Sequence, residues 1–457
     1  MKEILIKELK RKLGEENVLI NEADRALFSY DAAFGEKVLP DVVVFPKAKD
    51  ELGYVIRLMN ENSIPVVTRG AGTNLSGGTV PVAGGCVIVM TKMNKILEIN
   101  ENDLYAVVEA GVVTKQLANE VEKRGLFYPP DPGSMNISTI GGNIAENAGG
   151  LRGLKYGVTK DYVMGVRLFD IEGNDIKGGG KTVKLVTGFN IPGLMIGSEG
   201  LLGIIYEAVL KLVPKPKAAK SLLVEYDSIL DACNTVSEII ASKILPSTLE
   251  LLDNFTIRAV EDSEKIGLPI NADALLLIEV DGHPAVVEDD YLLVKKICEK
   301  NNGKVKVAAN SVERDKLWTA RRKALSCLAR LKPTLILEDA TVPRSKIPEM
   351  MKTIQDISKK YDITIGTFGH AGDGNLHPTI LTDKRDKEEF QRVEKAIDEI
   401  FEKAILLEGT LSGEHGVGLL KAKYMEMEVG KGTLNFMQKL KNGVDPNNML
   451  NPHKMGL

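Results

Sequence analysis

Apolar positions along this chain follow two rhythms, and the exchange between them predicts its elements. Short β-branched runs at 41–46 (DVVVFP), 64–68, 86–90 and 105–109 read as strands, because such side chains suit a pleated, half-buried surface. Between the first two, residues 49–62 space apolar side chains along one helix face, with Asp50 placed to cap it. This βαβ start runs into a glycine-rich loop, which suits a ligand-binding α/β layer. A helix at 114–124, the stretch Tyr128-Pro129-Pro130-Asp131-Pro132-Gly133-Ser134, a strand at 162–169, the turn Glu172-Gly173-Asn174-Asp175 and a strand at 201–213 complete this half. Val213-Pro214-Lys215-Pro216-Lys217 reads as an extended linker in which no helix continues.

Beyond the linker, strands at 221–226, 275–280, 304–308, 334–341 and 363–369 alternate with helices at 230–242, 286–300, 313–330, 346–360 and 387–407. That alternation predicts a sheet covered by helices, and an α+β chain. The expected boundaries are 1–215 for a first domain with an N-terminal helix, 216–410 for a second, and 411–457 for a segment returning to the first.

Length and composition narrow the class. A chain of 457 residues exceeds one ordinary core, so two or three domains are expected. The 44% hydrophobic and 27% charged fractions are those of a soluble enzyme. A net charge of -4 without long charged blocks argues against nucleic acid as a partner. Cys86, Cys233, Cys298 and Cys327 are far apart, which excludes a disulfide framework and an iron–sulfur site. The start, MKEILIKELKRKLGEENVLI, reads as an amphipathic helix, not a signal peptide. No apolar run approaches the roughly 18 residues of a membrane span. The chain is expected to be cytoplasmic and reduced, with peripheral membrane association through a partner left open.

The chemistry concentrates in two places. Gly369-His370-Ala371-Gly372-Asp373-Gly374-Asn375-Leu376-His377 holds two of the five histidines around a Gly-Asp-Gly turn. On one continuous strand, residues seven apart face opposite ways, but a turn at 372–374 folds the chain back and lets the rings converge. With Glu414 they make two imidazoles and one carboxylate, a common catalytic metal shell, and His415 is left as a base. A structural hydrogen-bonding role fits either histidine taken alone. The second place is a pair of glycine clusters, 69–78 and 141–150. The first fails as a Rossmann fingerprint, since Leu75 stands where the third glycine belongs and no helix follows, and as a Walker A loop, since Gly78 and Thr79 follow Gly77. Its glycines, Arg69, Thr73, Asn74 and Ser76 suit a pyrophosphate held by amides and neutral side chains.

These residues carry a resemblance. PVVTRGAGTNLSGG, FYPPDPGS, TIGGNIAENAGG, KYGVTKDYV and IGSEGLLGIIYEAVLKL resemble, in that order, the FAD-binding domain of the vanillyl-alcohol-oxidase flavoprotein superfamily. GHAGDGNLHP, SGEHGVG and NMLNPHK resemble the C-terminal domain of the FAD-linked glycolate oxidase subunit, which D-lactate and D-2-hydroxyglutarate dehydrogenases share. The implied fold is a two-part FAD-binding domain, an α+β substrate (cap) domain with an antiparallel sheet, and a C-terminal helical return. The resemblance assigns FAD to Arg69, Gly70, Ala71, Gly72, Thr73, Asn74 and Ser76, to Thr139, Gly142, Asn143, Asn147 and Gly149, and to Asp131, Ser134, Glu199, Gly203, Ile205 and Asn451. Thr73 stands in a loop without histidine, so a non-covalent flavin is implied. His370, His377 and Glu414 match ligands of a divalent metal (zinc, iron or manganese), and His415 matches the base. Arg321 matches an arginine that binds substrate carboxylate, with Arg322 and Arg344 as alternatives.

The resemblance implies a flavin-dependent dehydrogenase that oxidises a small D-2-hydroxy acid, D-lactate or glycolate, to the 2-oxo acid. Electrons would pass to an external acceptor: an iron–sulfur subunit, an electron-transfer flavoprotein or a quinone. Relatives that prefer 2-hydroxyglutarate carry Asn two residues after the second metal histidine; Thr379 here favours the glycolate and lactate branch. A D-2-hydroxyglutarate dehydrogenase and a non-catalytic flavin-binding relay subunit are the rival readings. A homodimer is compatible with the chain, whose sequence fixes no oligomeric state.

Overall fold

The computed structural model describes residues 2–35, 37–308 and 311–457. The chain divides into two compact units. Met1–Gly149, Val158–Lys215 and Glu414–Leu457 form the first, and Gly150–Gly157 with Pro216–Gly413 the second.

In the first unit, Val42–Val44 and Val66–Arg69 flank Cys86–Val89 and run parallel to it, joined by the helix Lys49–Glu61. Leu52, Ile56 and Met59 of that helix pack with Leu9 and Leu13 of the N-terminal helix Glu3–Leu13 and with Ile88 in one core. Asp50 lies inside the first helical turn and makes no cap; the Glu51 carboxylate instead accepts the Lys47 amide at 2.8 Å. A second sheet is antiparallel, in the order Ile96–Asn100, Tyr105–Glu109, Ile204–Lys211, Val163–Phe169, Asp175–Gly179. The chain between Val66–Arg69 and Cys86–Val89 forms no helix, whereas a Rossmann fingerprint would open one there. The second glycine cluster, by contrast, is helical from Ile140 to Glu146, capped by the Thr139 hydroxyl. The tail holds the helical return that the resemblance implied, a helix Met425–Val444 broken by a positive φ of 75° at Gly430. Glycines at 430 and 432 dilute its helical signal.

The second unit is built on an eight-stranded sheet whose pairings are all antiparallel. Its centre is Ala274–Gly282, Thr248–Asp253, Thr364–His370 and Asn375–Thr382. Helices including Ser311–Leu328, Ile347–Tyr361 and Lys387–Leu406 accompany the strands. The expected strand at 334–341 is two, Thr334–Leu337 and Ala340–Thr341, both on Asn375–Thr382. Thr248–Asp253 and the helix Asn254–Glu264 were absent from the sequence prediction. Among the described residues, no helix is long and apolar enough to cross a membrane.

Candidate active-site residues in the two units

The first glycine loop is a set of amides without secondary structure to satisfy them. Among the described residues, no amide from Gly70 to Ser76 donates to a backbone carbonyl, and the buried Ser76 hydroxyl has no partner. The loop is held in shape from beneath. Arg69 donates to the Tyr30 carbonyl at 2.6 Å and the Thr79 hydroxyl at 3.2 Å, and Asn74 donates to Asp31 at 2.6 Å. Side chains at Gly70 or Gly72 would overlap Thr139 Oγ1 or the Arg69 guanidinium, so only glycine lets the backbone lie this close. An anion cradle of unpaired amides fits a dinucleotide pyrophosphate.

The remaining residues assigned to FAD are distributed around this loop's unit. Thr139 and Gly142 form the helix cap, while Asn143 is buried and donates to Thr114 Oγ1 at 2.7 Å. Asn147 is left-handed (φ 52°) and accepts the Lys160 amide at 3.0 Å. Asp131 is buried and Ser134 half-buried, and the Ser134 carbonyl accepts the Ile137 and Ser138 amides. Gly203 packs on Leu168, and Ile205 is buried on its strand. Asn451 donates to the carbonyls of Gly78 and Glu199, fastening the tail to the loop. Ala71 and Thr73 are half-buried in the loop itself.

Glu414 and His415 belong to this first unit. A side chain at Gly149 would lie 3.0 Å from Glu414 Cβ, and His415 Nε2 is 4.0 Å from Glu414 Oε1. Just beyond them, the amides of Val417 and Gly418 donate to Glu199, and those of Leu419 and Leu420 to the Ser76 carbonyl. The carboxylate–histidine segment is thereby tied to the flavin-type loop. Beside it stands a group that sequence reasoning missed: Glu146 is half-buried, and desolvation, then the neighbouring Glu199 and Asp31 charges, raises its carboxyl well above the ordinary value. Burial also pushes Glu199 up to about 7, against the pull of the Val417 and Gly418 amides and of Lys454 and Lys421.

The histidine pair belongs to the second unit. Register pairs Phe368 with His377 and His370 with Asn375, so these four side chains share one face of the sheet. The turn has the predicted effect on facing: the His370 and His377 rings stand 5.2 Å apart, edge to face. His377 is the third residue of its strand. Behind each ring lies a buried carboxylate that the sequence reading did not name. Glu250 Oε1 is 2.7 Å from His370 Nδ1, and Asp339 Oδ1 is 3.9 Å from His377 Nδ1. Glu250 interrupts the apolar run of its strand, and Asp339 lies in the break between Thr334–Leu337 and Ala340–Thr341. Burial alone would raise the Glu250 carboxyl, but the His370 and Arg321 charges bring it below the ordinary carboxylate range.

Arg321 is buried and pairs with Glu250, Arg322 is exposed, and Arg344 is half-buried ahead of the helix Ile347–Tyr361. Thr379 is fully buried and donates to the His377 carbonyl. Gly413, the last residue of this unit, lies so close to Thr341 and Asn375 that a side chain would overlap them. Glu414 follows it directly in the chain. The two imidazoles of this unit converge on one sheet face, and paired imidazoles of that kind suit a divalent cation.

Comparison with known proteins identifies two domain families along the chain. Residues 40–177 match the family described as FAD binding domain, and residues 215–455 the family described as FAD linked oxidases, C-terminal domain. The chain is 53% identical to the glycolate oxidase subunit GlcD of Bacillus subtilis, covering 99% of this chain and 97% of that protein. It is 35% identical to the D-lactate dehydrogenase of Anaerostipes hadrus, covering 97% of this chain and 96% of that one. The structure of p-cresol methylhydroxylase with substrate bound shares the fold at a TM-score of 0.83 and 18% identity, over 100% of this chain and 96% of that one. With its amide cradle, its paired histidines and these matches along its length, the chain belongs to the family of FAD-linked oxidases.

Proposed function

We propose that the chain is a metal-assisted, FAD-dependent dehydrogenase that oxidises glycolate, and D-lactate as a second substrate, to the 2-oxo acid. The observation that carries this reading is 53% identity along the whole chain to a glycolate oxidase subunit, joined to a histidine pair converging on one sheet face. Bound FAD supplies a hydride acceptor, and a divalent metal supplies a Lewis acid that lowers the pKa of a substrate hydroxyl. The first glycine loop would hold the pyrophosphate, and His370, His377 and Glu414 would hold the metal. His415 takes the hydroxyl proton at an imidazole nitrogen, a role suited to a neutral ring near pH 7. Arg344 is the arginine left to pair with the substrate carboxylate, since Arg321 is already paired with Glu250. Thr379 is enclosed and bonded to its own strand, so it offers no donor to a second carboxylate; this favours a short hydroxy acid over 2-hydroxyglutarate. Electrons leave to an external acceptor, an iron–sulfur subunit, an electron-transfer flavoprotein or a quinone, and a partner of that kind is the route by which the chain would reach a membrane.

Anaerobic mixing of the purified flavoprotein with glycolate, D-lactate, L-lactate and D-2-hydroxyglutarate tests the reading without any acceptor. Flavin bleaching is expected with glycolate and D-lactate, and none with either in the His415→Ala chain, whose FAD stays bound. Bleaching by 2-hydroxyglutarate alone would transfer the chain to the other branch. A yellow protein that none of them bleaches would make it a relay subunit.

A further inference from the structure

His370 is gripped within the second unit by contacts the sheet does not need. Its strand pairs with Thr248–Asp253 through the backbone, at Leu251 with Gly369 and Leu252 with Phe368. Such pairing places Glu250 beside His370 on the same face, whatever residue stands at 250. An apolar side chain there would pack without cost, whereas a fully buried carboxylate is destabilising unless it is paired and hydrogen-bonded. Glu250 meets both conditions: Oε1 takes His370 Nδ1 at 2.7 Å, and Oε2 takes Arg321 Nε at 2.5 Å. The Arg321 guanidinium lies 4.7 Å over the Phe368 ring, and its Nη2 is 3.5 Å from both ring nitrogens of His370. A donor aimed at the Nε2 lone pair would approach that nitrogen alone. Arg321 therefore lies over the ring and braces it.

We propose that Glu250, with Arg321 as its counter-ion, is a positioning residue. It fixes His370 as the Nδ1–H tautomer and presents a more basic Nε2 to a divalent cation. The inference rests on the reading of His370 as a metal ligand. It also gives Arg321 a role different from the one its sequence match implied: its charge acts on Glu250 and, through it, on the ligand histidine.

The test is the zinc dissociation constant of the purified flavoprotein, measured by competition with a chromophoric chelator. FAD content and melting temperature are recorded alongside. Glu250→Gln removes the charge, and Glu250→Asp keeps it for Arg321 while withdrawing the oxygen from Nδ1. Both are expected to weaken zinc binding by about 10- to 100-fold with FAD retained. Wild-type zinc affinity in either folded variant overturns the proposal. Failure of both to fold makes Glu250 a structural residue and overturns it equally. His370→Ala separates the two claims: if it binds zinc like wild type, the metal reading itself is lost, whatever Glu250 does.

Discussion

Glu146 shows how much a single desolvated side chain can set. Its Oε2 has no hydrogen-bond partner, and the Glu199 and Asp31 charges around it outweigh the pull of Lys421. The native chain therefore keeps protons that ordinary carboxyls, with pKa near 4.3, release in the unfolded chain. Between that value and about 7, to which burial pushes Glu199, the native state binds more protons than the unfolded state, so stability falls as pH rises. The flavin-free chain is expected to melt lower at pH 7.5 than at pH 5.5, and Glu146→Gln to reduce that difference. A variant that keeps the whole difference would place the titration elsewhere. Nothing in TIGGNIAENAGG marks Glu146 as desolvated, because its environment comes from residues 31, 199 and 416–421, far away in sequence. His370 and His377 were legible because one local turn brings them together; Glu250 and Asp339 were not, because strands distant in sequence deliver them.

At the scale of elements, the second unit depends on a segment the pattern concealed. Thr-Leu-Glu-Leu-Leu-Asp alternates imperfectly, so neither the strand Thr248–Asp253 nor the helix after it stood out, although Asp253 is a regular N-cap signal. The Asp253 carboxylate accepts the Thr256 amide at 2.8 Å, capping that helix, and the Thr367 amide at 2.6 Å on the strand leading to His370. Asp253→Ala removes the cap and leaves a strand amide without its partner, at a cost of about 2 kcal/mol. Asp253→Asn keeps an acceptor oxygen and is expected to cost less. Urea unfolding of the two variants checks the order; equal losses would mean that the amide contacts contribute nothing. Long periodic helices such as Lys387–Leu406 and compact apolar strands were readable because their signal is local.

For the molecule as a whole, the tail completes the first unit. Lys441 is fully buried and donates to the carbonyls of Leu201 and Leu450 and to the Asp445 carboxylate. Leu450 bridges to Val66 beside the glycine loop, and Lys454 donates to the Val80 carbonyl. Lys441→Met would leave Asp445 as a buried charge without its cation, a loss of about 3–5 kcal/mol. Denaturant unfolding followed by flavin fluorescence should show it, and an unchanged midpoint would contradict this role for Lys441. The tail also bears on the order of synthesis. Residues 216–413 are made before the segment that closes the first unit. The unit that begins the chain is thus the last to be finished, and on the ribosome its glycine loop waits, incomplete, through the translation of the whole second unit.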